Sequence, residues 1–377
     1  MSGVATSEYR ARLLRAQAAM DEAGLGALLL TTEPEFRYFS GFLTRFWESP
    51  SREWYLVIPA AGDPVAVIPE IGAALMAGTW VEDIRTWPAP AGDGVPLLAE
   101  ALRESGGPVG VPSGPESQLR MPLVDFARLK EMSALEFTDD RGIVAGLRAV
   151  KSGAEIDRIA RACAVAGRAF GRVGEIAGPG VPLDTVFRDF QRLLLEEGAD
   201  WVPYLAGGAG PEGYADVISP ARAQPLAAGD VLMLDTGAVC AGYFCDFDRN
   251  FAIARAGDAP RAAHARLIEA TQAGLAAARP GARACDVWRA MADIVGADDG
   301  RLGHGLGMQL TEGLSLRAGD VSVLVPGMVI TLEPVIVTAP GRIMVHEEVI
   351  AITDAAPRAL SPLAGRDLPE IGPMIGG

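Results

Sequence analysis

The chain is poor in the residues that usually announce chemistry. Its 377 residues include only three histidines and four cysteines. Cys163, Cys240, Cys245 and Cys285 are scattered, and no two stand at CxxC spacing, which argues against a disulfide framework or a thiolate zinc site. They read as reduced, packed thiols of a cytoplasmic protein. Basic residues are also few: 33 Lys and Arg against 48 Asp and Glu give a net charge of −15. Nucleic acid and anionic membrane surfaces both demand basic patches, so neither is expected as a partner. No apolar run approaches the ~20 residues of a membrane-spanning helix. The N-terminal stretch lacks the basic start and apolar core of a signal peptide. No glycine-rich loop between a strand and a helix offers a phosphate cradle.

What remains is a globular composition, 49% hydrophobic and 21% charged, in a chain long enough for two domains. The first third reads as α/β. Tyr9–Ala23 has helical apolar spacing and stops at Gly24; Gly26–Thr31 is a buried strand. Trp54–Pro59 and Val65–Pro69 suggest a hairpin, helices fall near Val95–Glu104 and Ser117–Met132, and Pro108–Pro112 is a short strand. The segment Leu43–Trp54 gathers two Trp, one Phe and two Arg in a loop-like stretch. It is read either as a packed surface loop or as a recognition loop that uses Arg45, Phe46 and Trp47. A hinge at 147–152 leads into a helix over Ala154–Ile176, with Ser152 as N-cap and Glu155 completing a capping box. A second helix covers Leu183–Glu197, and two more follow at Pro260–Ala277 and Ala284–Val295. The tail from Pro357 reads as irregular.

The chemistry centres on 229–252. A strand over Val231–Leu234 delivers Asp235 at its end, and a second strand, Tyr243–Ile253, carries Asp246. Antiparallel strands can bring both acids to one face. Paired carboxylates raise each other's pKa and call for a cation or a shared proton between them; a solvated hairpin with two unrelated acids is the alternative. Further on, His304 stands between glycines in Gly303-His304-Gly305-Leu306-Gly307, where imidazole can serve as a ligand. Glu333 and Glu347 then interrupt apolar β runs. That costs several kcal/mol if the charge is buried without a partner. One such interruption would carry little weight; five groups in order carry much more.

With their neighbours (LDTG, D-x-x-R, GHGLG, LEP and E-E-x-I) these five resemble the ligand set of the pita-bread metallohydrolases, which include methionine aminopeptidase, prolidase, Xaa-Pro aminopeptidase and creatinase. The entry Val150-Lys151-Ser152-x-x-Glu155-Ile156 is also similar. So are Tyr9, Arg12-Leu13 and Tyr38-Phe39-Ser40-Gly41-Phe42, which look like a creatinase-type N-domain. The resemblance implies an α/β creatinase-like N-terminal domain (1–146) plus an α+β pita-bread catalytic domain (147–377), in a homodimer. It implies two divalent metal ions held by Asp235, Asp246, His304, Glu333 and Glu347, with Asp246 and Glu347 bridging. A nitrogen and four carboxylates suit Mn²⁺, Fe²⁺, Co²⁺ or Zn²⁺. A bridging water would be acidified into a nucleophile for an amide C–N bond, with Glu333 as general base and His304 in the catalytic set.

The departures bear on substrate. Thr311, followed by Glu312, stands where Xaa-Pro peptidases usually carry an auxiliary histidine, and Asp200–Asp230 contains none of the upstream kind. Val345 occupies the position where an arginine often precedes the last ligand. His346 is a candidate replacement, although strand alternation turns it away from Glu347. Asp248 replaces a usual threonine and is read as a partner of the ligands, as an extra ligand, or as a partner for Arg249. Three functions therefore compete: an Xaa-Pro aminopeptidase or dipeptidase acting on short peptides; a C–N hydrolase or lyase for a small zwitterion, like creatinase, ectoine hydrolase or dimethylsulfoniopropionate lyase; and a silent binding scaffold. The loop at Arg45-Phe46-Trp47 would reach the partner's site in a creatinase-like dimer and bind a carboxylate or cap a cationic group.

Overall fold

A computed structural model describes residues 5–49 and 52–372. Pro50 and Ser51 of the aromatic loop, the first four residues and the last five of the tail lie outside the described residues. Contacts divide the chain into two compact units, Met1–Arg148 and Ala149–Gly377. The boundary expected after residue 146 falls inside a helix, Ile143–Ala149.

In the first unit the order is α1 (Thr6–Ala23), β1 (Ala27–Leu30), α2 (Glu33–Ser40), β2 (Tyr55–Pro59), β3 (Val65–Pro69), α3 (Ala73–Met76), β4 (Asp83–Trp87), α4 (Val95–Ser105), β5 (Val109–Val111), α5 (Leu123–Ser133), β6 (Phe137–Asp139) and α6 (Ile143–Ala149). The strands form one mixed sheet in the order β4-β3-β2-β1-β5-β6. β1, β2 and β3 are buried at every position, as their unbroken apolar runs require. Leu29, Val57, Val67, Leu98, Leu102 and Leu129 form the core. The helix expected from Ser117 starts six residues later, after Pro122, because a residue before proline is pushed out of the helical region. α2 has no counterpart in the sequence reading. It has only eight residues, Glu33–Ser40, too few to set a helical period apart, although Glu33 and Arg37 pair one turn apart.

The second unit contains α7 (Gly153–Gly171), α8 (Leu183–Glu196), β7 (Trp201–Gly210), β8 (Val231–Cys240), β9 (Tyr243–Phe244), β10 (Phe247–Ile253), α9 (Asp258–Ala277), α10 (Ala284–Val295), β11 (Val329–Leu332), β12 (Val335–Ala339), β13 (Arg342–Val345), β14 (Glu348–Ala351), β15 (Arg358–Ala359) and β16 (Glu370–Ile371). One sheet runs β16-β10-β8-β7 with β9 beside β8; β11-β14-β15 and β12-β13 form two smaller ones. α7 opens on a complete capping box, in which Ser152 accepts from the Glu155 N–H and Glu155 accepts from the Ser152 N–H. It ends at Gly171, five residues before the expected stop, and a short 3₁₀ turn takes over. Its buried face includes Ile159, Ala162, Cys163 and Ala166. α10 has the bounds expected of it, and its Trp288 and Met291 pack with Leu302, Ile330, Leu332 and Ile350.

Two expectations about the acidic hairpin need correction. β8 does not stop before Asp235; it continues through the small residues to Cys240, so Asp235 sits mid-strand. The tight turn is Ala241-Gly242, and both residues have positive φ. The second strand is not continuous: β9 ends at Phe244, β10 begins at Phe247, and Asp246 lies in the break. Leaving the ladder frees Asp246 from the register that sets Asp248 opposite Asp235.

Candidate metal centre

β8, buried at all ten positions, brings Asp235 into the interior. The break between β9 and β10 adds Asp246. His304 enters on an irregular segment tied to β11: the Thr331 N–H donates to the His304 carbonyl at 2.7 Å, and the His304 N–H donates to Thr331 Oγ1 at 3.1 Å. Gly303 and Gly305 make this approach possible. A Cβ on Gly303 would stand 2.3 Å from the Thr331 carbonyl oxygen, and one on Gly305 would stand 2.1 Å from that of Glu312. The flanking glycines thus serve backbone packing around the histidine. Glu333 follows β11, its N–H donating to the Leu302 carbonyl at 3.0 Å. Glu347 lies between β13 and β14.

Ligand atoms of Asp246, His304 and Glu347 all fall within 4.8 Å of one another, and all three residues are buried. His304 Nε2 is 3.4 Å from Asp246 Oδ2 and 4.0 Å from Glu347 Oε1. Its Nδ1 lies 3.0 Å from the Gly305 carbonyl oxygen. A carbonyl can only accept, so Nδ1 carries the proton and Nε2 presents its lone pair to the acids. Asp235 and Glu333 adjoin this trio. Burial first, then the charges of Asp246 and Asp248, pushes Asp235 well above the usual carboxylate range. Glu347 is driven up by burial and by Asp246, Glu333 and Asp235. Burial likewise raises Asp246 and Glu333, although Arg301 pulls both back.

The donor set fits a cation. Asp235 Oδ1, Glu333 Oε1 and Glu347 Oε1 are buried with no hydrogen-bond partner among the described residues. Two carboxylates ~4 Å apart repel by about 4 kcal/mol at an effective dielectric of 20. Four acids in one pocket far exceed what a single guanidinium can offset.

Two neighbours of the cluster escape sequence reading. Tyr204 on β7 donates its hydroxyl to Asp235 Oδ2 at 2.9 Å; it pairs across the ladder with Gly237, two residues along from Asp235. Arg301, three residues before His304, brings Nε to 3.3 Å from Glu333 Oε1. Strand alternation on β7 carried a weak signal for the first; the second had none beyond its nearness to His304.

The remaining sequence candidates are distributed as follows. Asp248 Oδ1 accepts from the Glu347 N–H at 3.1 Å. The His346 ring lies between Asp248 (3.5 Å from Nδ1) and Glu348 (3.1 Å from Nε2). It stands between strands, not on one, and its ring meets Glu348, two residues on, not Glu347, as the alternation expectation has it. Burial opposes its charge, but these two acids raise its pKa. Arg249 is not paired with the Asp248 carboxylate: it donates to the backbone carbonyls of Asp248 and Glu347, to Pro362 O, and to Glu348 Oε2. Glu348 is held at about 2 despite its burial, because His346, Arg249 and Ser361 favour the charged form. Glu312 forms a buried ion pair with Lys151 at 2.9 Å, whose side chains are 7% and 2% exposed. Thr311 is half-buried.

In the first unit, Arg45–Glu48 forms a 3₁₀ turn capped by Thr44. Trp47 is buried against Phe36 and Trp54, and its carbonyl accepts from Arg120. Arg45 is exposed and paired with Glu48, and Phe46 is partly exposed. All four cysteines are free and buried. No described helix is long and apolar enough to cross a membrane.

Comparison with known proteins gives a consistent result. The profile described as Metallopeptidase family M24 matches residues 157–354, and that of the Creatinase/Prolidase N-terminal domain matches residues 12–150. A probable dipeptidase, PepE, of Mycobacterium tuberculosis is 30% identical over 359 residues, which cover 92% of each chain. The Xaa-Pro dipeptidase of Pyrococcus furiosus is 27% identical over 259 residues, covering 65% of this chain and 72% of that one. Among solved structures, dipeptidase PepE from Mycobacterium ulcerans aligns with a TM-score of 0.84 at 28% identity, over 98% of this chain and 99% of that one.

Proposed function

The chain belongs to metallopeptidase family M24, and on that premise we propose that it is a dinuclear metal-dependent dipeptidase of the Xaa-Pro type. It is a metallohydrolase with a creatinase-type N-terminal domain and a pita-bread catalytic domain. The observation that carries the reading is the group of unpartnered, buried carboxylate oxygens on Asp235, Glu333 and Glu347 around the His304 imidazole.

Asp235, Asp246, His304, Glu333 and Glu347 would hold two divalent ions, with Mn²⁺, Co²⁺, Fe²⁺ and Zn²⁺ as the candidates. Charge supports the number: four carboxylates and a neutral imidazole are balanced by two dications. When bound, the ions supply Lewis acidity, polarising the scissile carbonyl and making water a nucleophile at neutral pH. Glu333 takes up the proton released by the attacking water and hands it to the leaving amine. Its position supports that role, for its side chain is 19% exposed whereas those of Asp246 and Glu347 are 5% and 6%. Tyr204 orients the Asp235 carboxylate by donating to Oδ2. Asp248 holds the backbone of Glu347 in place. The names of the relatives, probable dipeptidase and Xaa-Pro dipeptidase, support a peptide substrate. We further propose a homodimer that works in the cytoplasm.

Enzyme reconstituted with Mn²⁺, Co²⁺ or Zn²⁺ is offered Xaa-Pro dipeptides and tripeptides in one panel, and creatine, ectoine and dimethylsulfoniopropionate in another. Turnover of Xaa-Pro dipeptides is expected. Turnover confined to the second panel would replace the peptidase reading with that of a C–N hydrolase or lyase.

A further inference from the structure

We propose that His346 is a positioning residue: its ring pins the Asp248 carboxylate beside the Glu347 N–H and so keeps a fifth buried acid out of the metal ligand set. The inference rests on the metallopeptidase reading for the ions, and on the packing around His346 for the rest.

Asp248 is well placed to join the ligands. It pairs directly across the ladder with Asp235, and directly opposed residues share one face of a sheet with Cβ atoms about 5 Å apart. Its charge bears on Asp235 and on Glu347. The side chain is only 2% exposed, so a carboxylate there needs partners of its own. They come from the segment of Glu347 itself. The Glu347 N–H donates to Asp248 Oδ1 at 3.1 Å, and His346 Nδ1 stands 3.5 Å from the same oxygen.

The ring is held in turn. Its Nε2 lies 3.1 Å from Glu348 Oε1, the His264 ring packs edge-on against it at 6.0 Å between centroids, and the His346 N–H donates to the Pro334 carbonyl at 3.2 Å. Glu348 is fixed by Arg249, Ser361 and the Ala364 N–H. A carboxylate can only accept, so each ring nitrogen facing one carries its proton, and the ring is a cation. It balances Asp248 where that acid stands. Arg249 does not replace it, because Arg249 donates to backbone carbonyls and to Glu348. Without the ring, the uncharged Glu347 N–H would be left to hold Asp248 against the pull of cations on the face it shares with Asp235. One more carboxylate on the ions would blunt the Lewis acidity that polarises a carbonyl.

The test uses the full-length, Mn²⁺-loaded protein and its His346→Leu, Asp248→Asn and doubly substituted variants. Asn keeps the acceptor for the Glu347 N–H and removes the charge. Calorimetry reads Mn²⁺ affinity, electron paramagnetic resonance reads the surroundings of the bound Mn²⁺, and turnover of Ala-Pro gives kcat and KM. In His346→Leu, kcat is expected to fall about 10- to 100-fold, with Mn²⁺ affinity undiminished and an altered spectrum. Adding Asp248→Asn should restore the wild-type spectrum and most of kcat, a recovery that a merely structural role of His346 would not give. Should His346→Leu fail to fold, His346→Gln, which can still donate to Glu348, enters the same comparison. A wild-type spectrum in the His346 variant, or a loss that Asp248→Asn leaves in place, overturns the inference alone. A wild type that binds no Mn²⁺ overturns the metallopeptidase reading and the inference with it. The spectral change and its reversal in a protein that does not cleave Ala-Pro would uphold the inference and overturn the peptidase reading.

Discussion

Tyr204 contributes one hydroxyl to the acidic pocket, and that hydroxyl governs how Asp235 can be used. With Oδ2 accepting from the phenol at 2.9 Å, the unpartnered Oδ1 is left for the proposed metal ion. Tyr204→Phe removes the hydrogen bond without emptying the space. Metal affinity is then expected to fall about 10- to 100-fold, as read by calorimetry on purified protein; unaltered affinity would deny Tyr204 its orienting role. Glu333→Gln keeps the side chain's shape but removes its basicity, and should lower kcat by about 10²- to 10⁴-fold. A loss of less than threefold would assign the proton transfer elsewhere. The five proposed ligands stand out in the sequence because each is a polar interruption with a distinctive neighbourhood. Tyr204 and Arg301 do not. Each reaches the cluster across space, from a neighbouring strand or a loop, and no local pattern records such an approach.

Among the elements, the segment 304–312 depends on a contact distant in sequence. Glu312 Oε1 meets Lys151 Nζ at 2.9 Å, and Gln309 N–H donates to Glu312 Oε2. Gly307 leaves the room: a Cβ there would stand 2.2 Å from Glu312 Oε1 and 2.9 Å from Lys151 Cε. Lys151→Met therefore strands a buried carboxylate and is expected to cost about 3–5 kcal/mol in denaturant unfolding. Adding Glu312→Leu should recover much of that loss, and a Lys151→Met protein of wild-type stability would contradict the pairing. Sequence reading placed Glu312 near substrate because it follows Thr311 in the GHGLGMQLTE run; its partner lies at the start of the catalytic unit, out of reach of any local argument. The capping box of α7 was readable because both its members lie within one turn. The break that releases Asp246 was not, since Phe244 and Phe247 flank it with strand-forming residues and no glycine or proline marks it. His346 also sits in a break between strands, yet its ring meets Glu348, two residues on, and Asp248, as period two would have it.

For the whole molecule, acid stability is a measurable consequence of burial. His264 is held neutral, with its pKa lowered to about 4 by burial and by the nearby His346, and with Arg249 adding to the effect while Asp367 opposes it. Its Nε2 lies 3.2 Å from the Gly365 carbonyl oxygen, which requires a proton on that nitrogen. The folded pKa lies below the unfolded value of about 6.5, so the unfolded chain binds the extra proton first. Stability from this group is full above pH 6.5, declines as pH falls towards 4, and the loss totals at most about 3 kcal/mol. His264→Gln should flatten the stability profile in that window, and an NMR titration of His264 with a midpoint near 6.5 would remove the basis for the effect. At this scale the two-unit organisation and the family were legible because they follow from length, composition and five motifs in order. The substrate was not: Thr311 and Val345 mark departures from the resemblance, and neither says what takes their place.

The proposed two-ion centre joins Asp235, Asp246, His304, Glu333 and Glu347. Its most direct test is metal stoichiometry: apo wild-type protein and Asp246→Ala are titrated with Mn²⁺ by calorimetry, and the bound metal is quantified after dialysis. Two equivalents per wild-type chain, with high-affinity binding lost in Asp246→Ala while the fold persists by circular dichroism, is the predicted result. A wild type that binds no metal, or an Asp246→Ala protein that still binds two equivalents with undiminished affinity, would contradict the account.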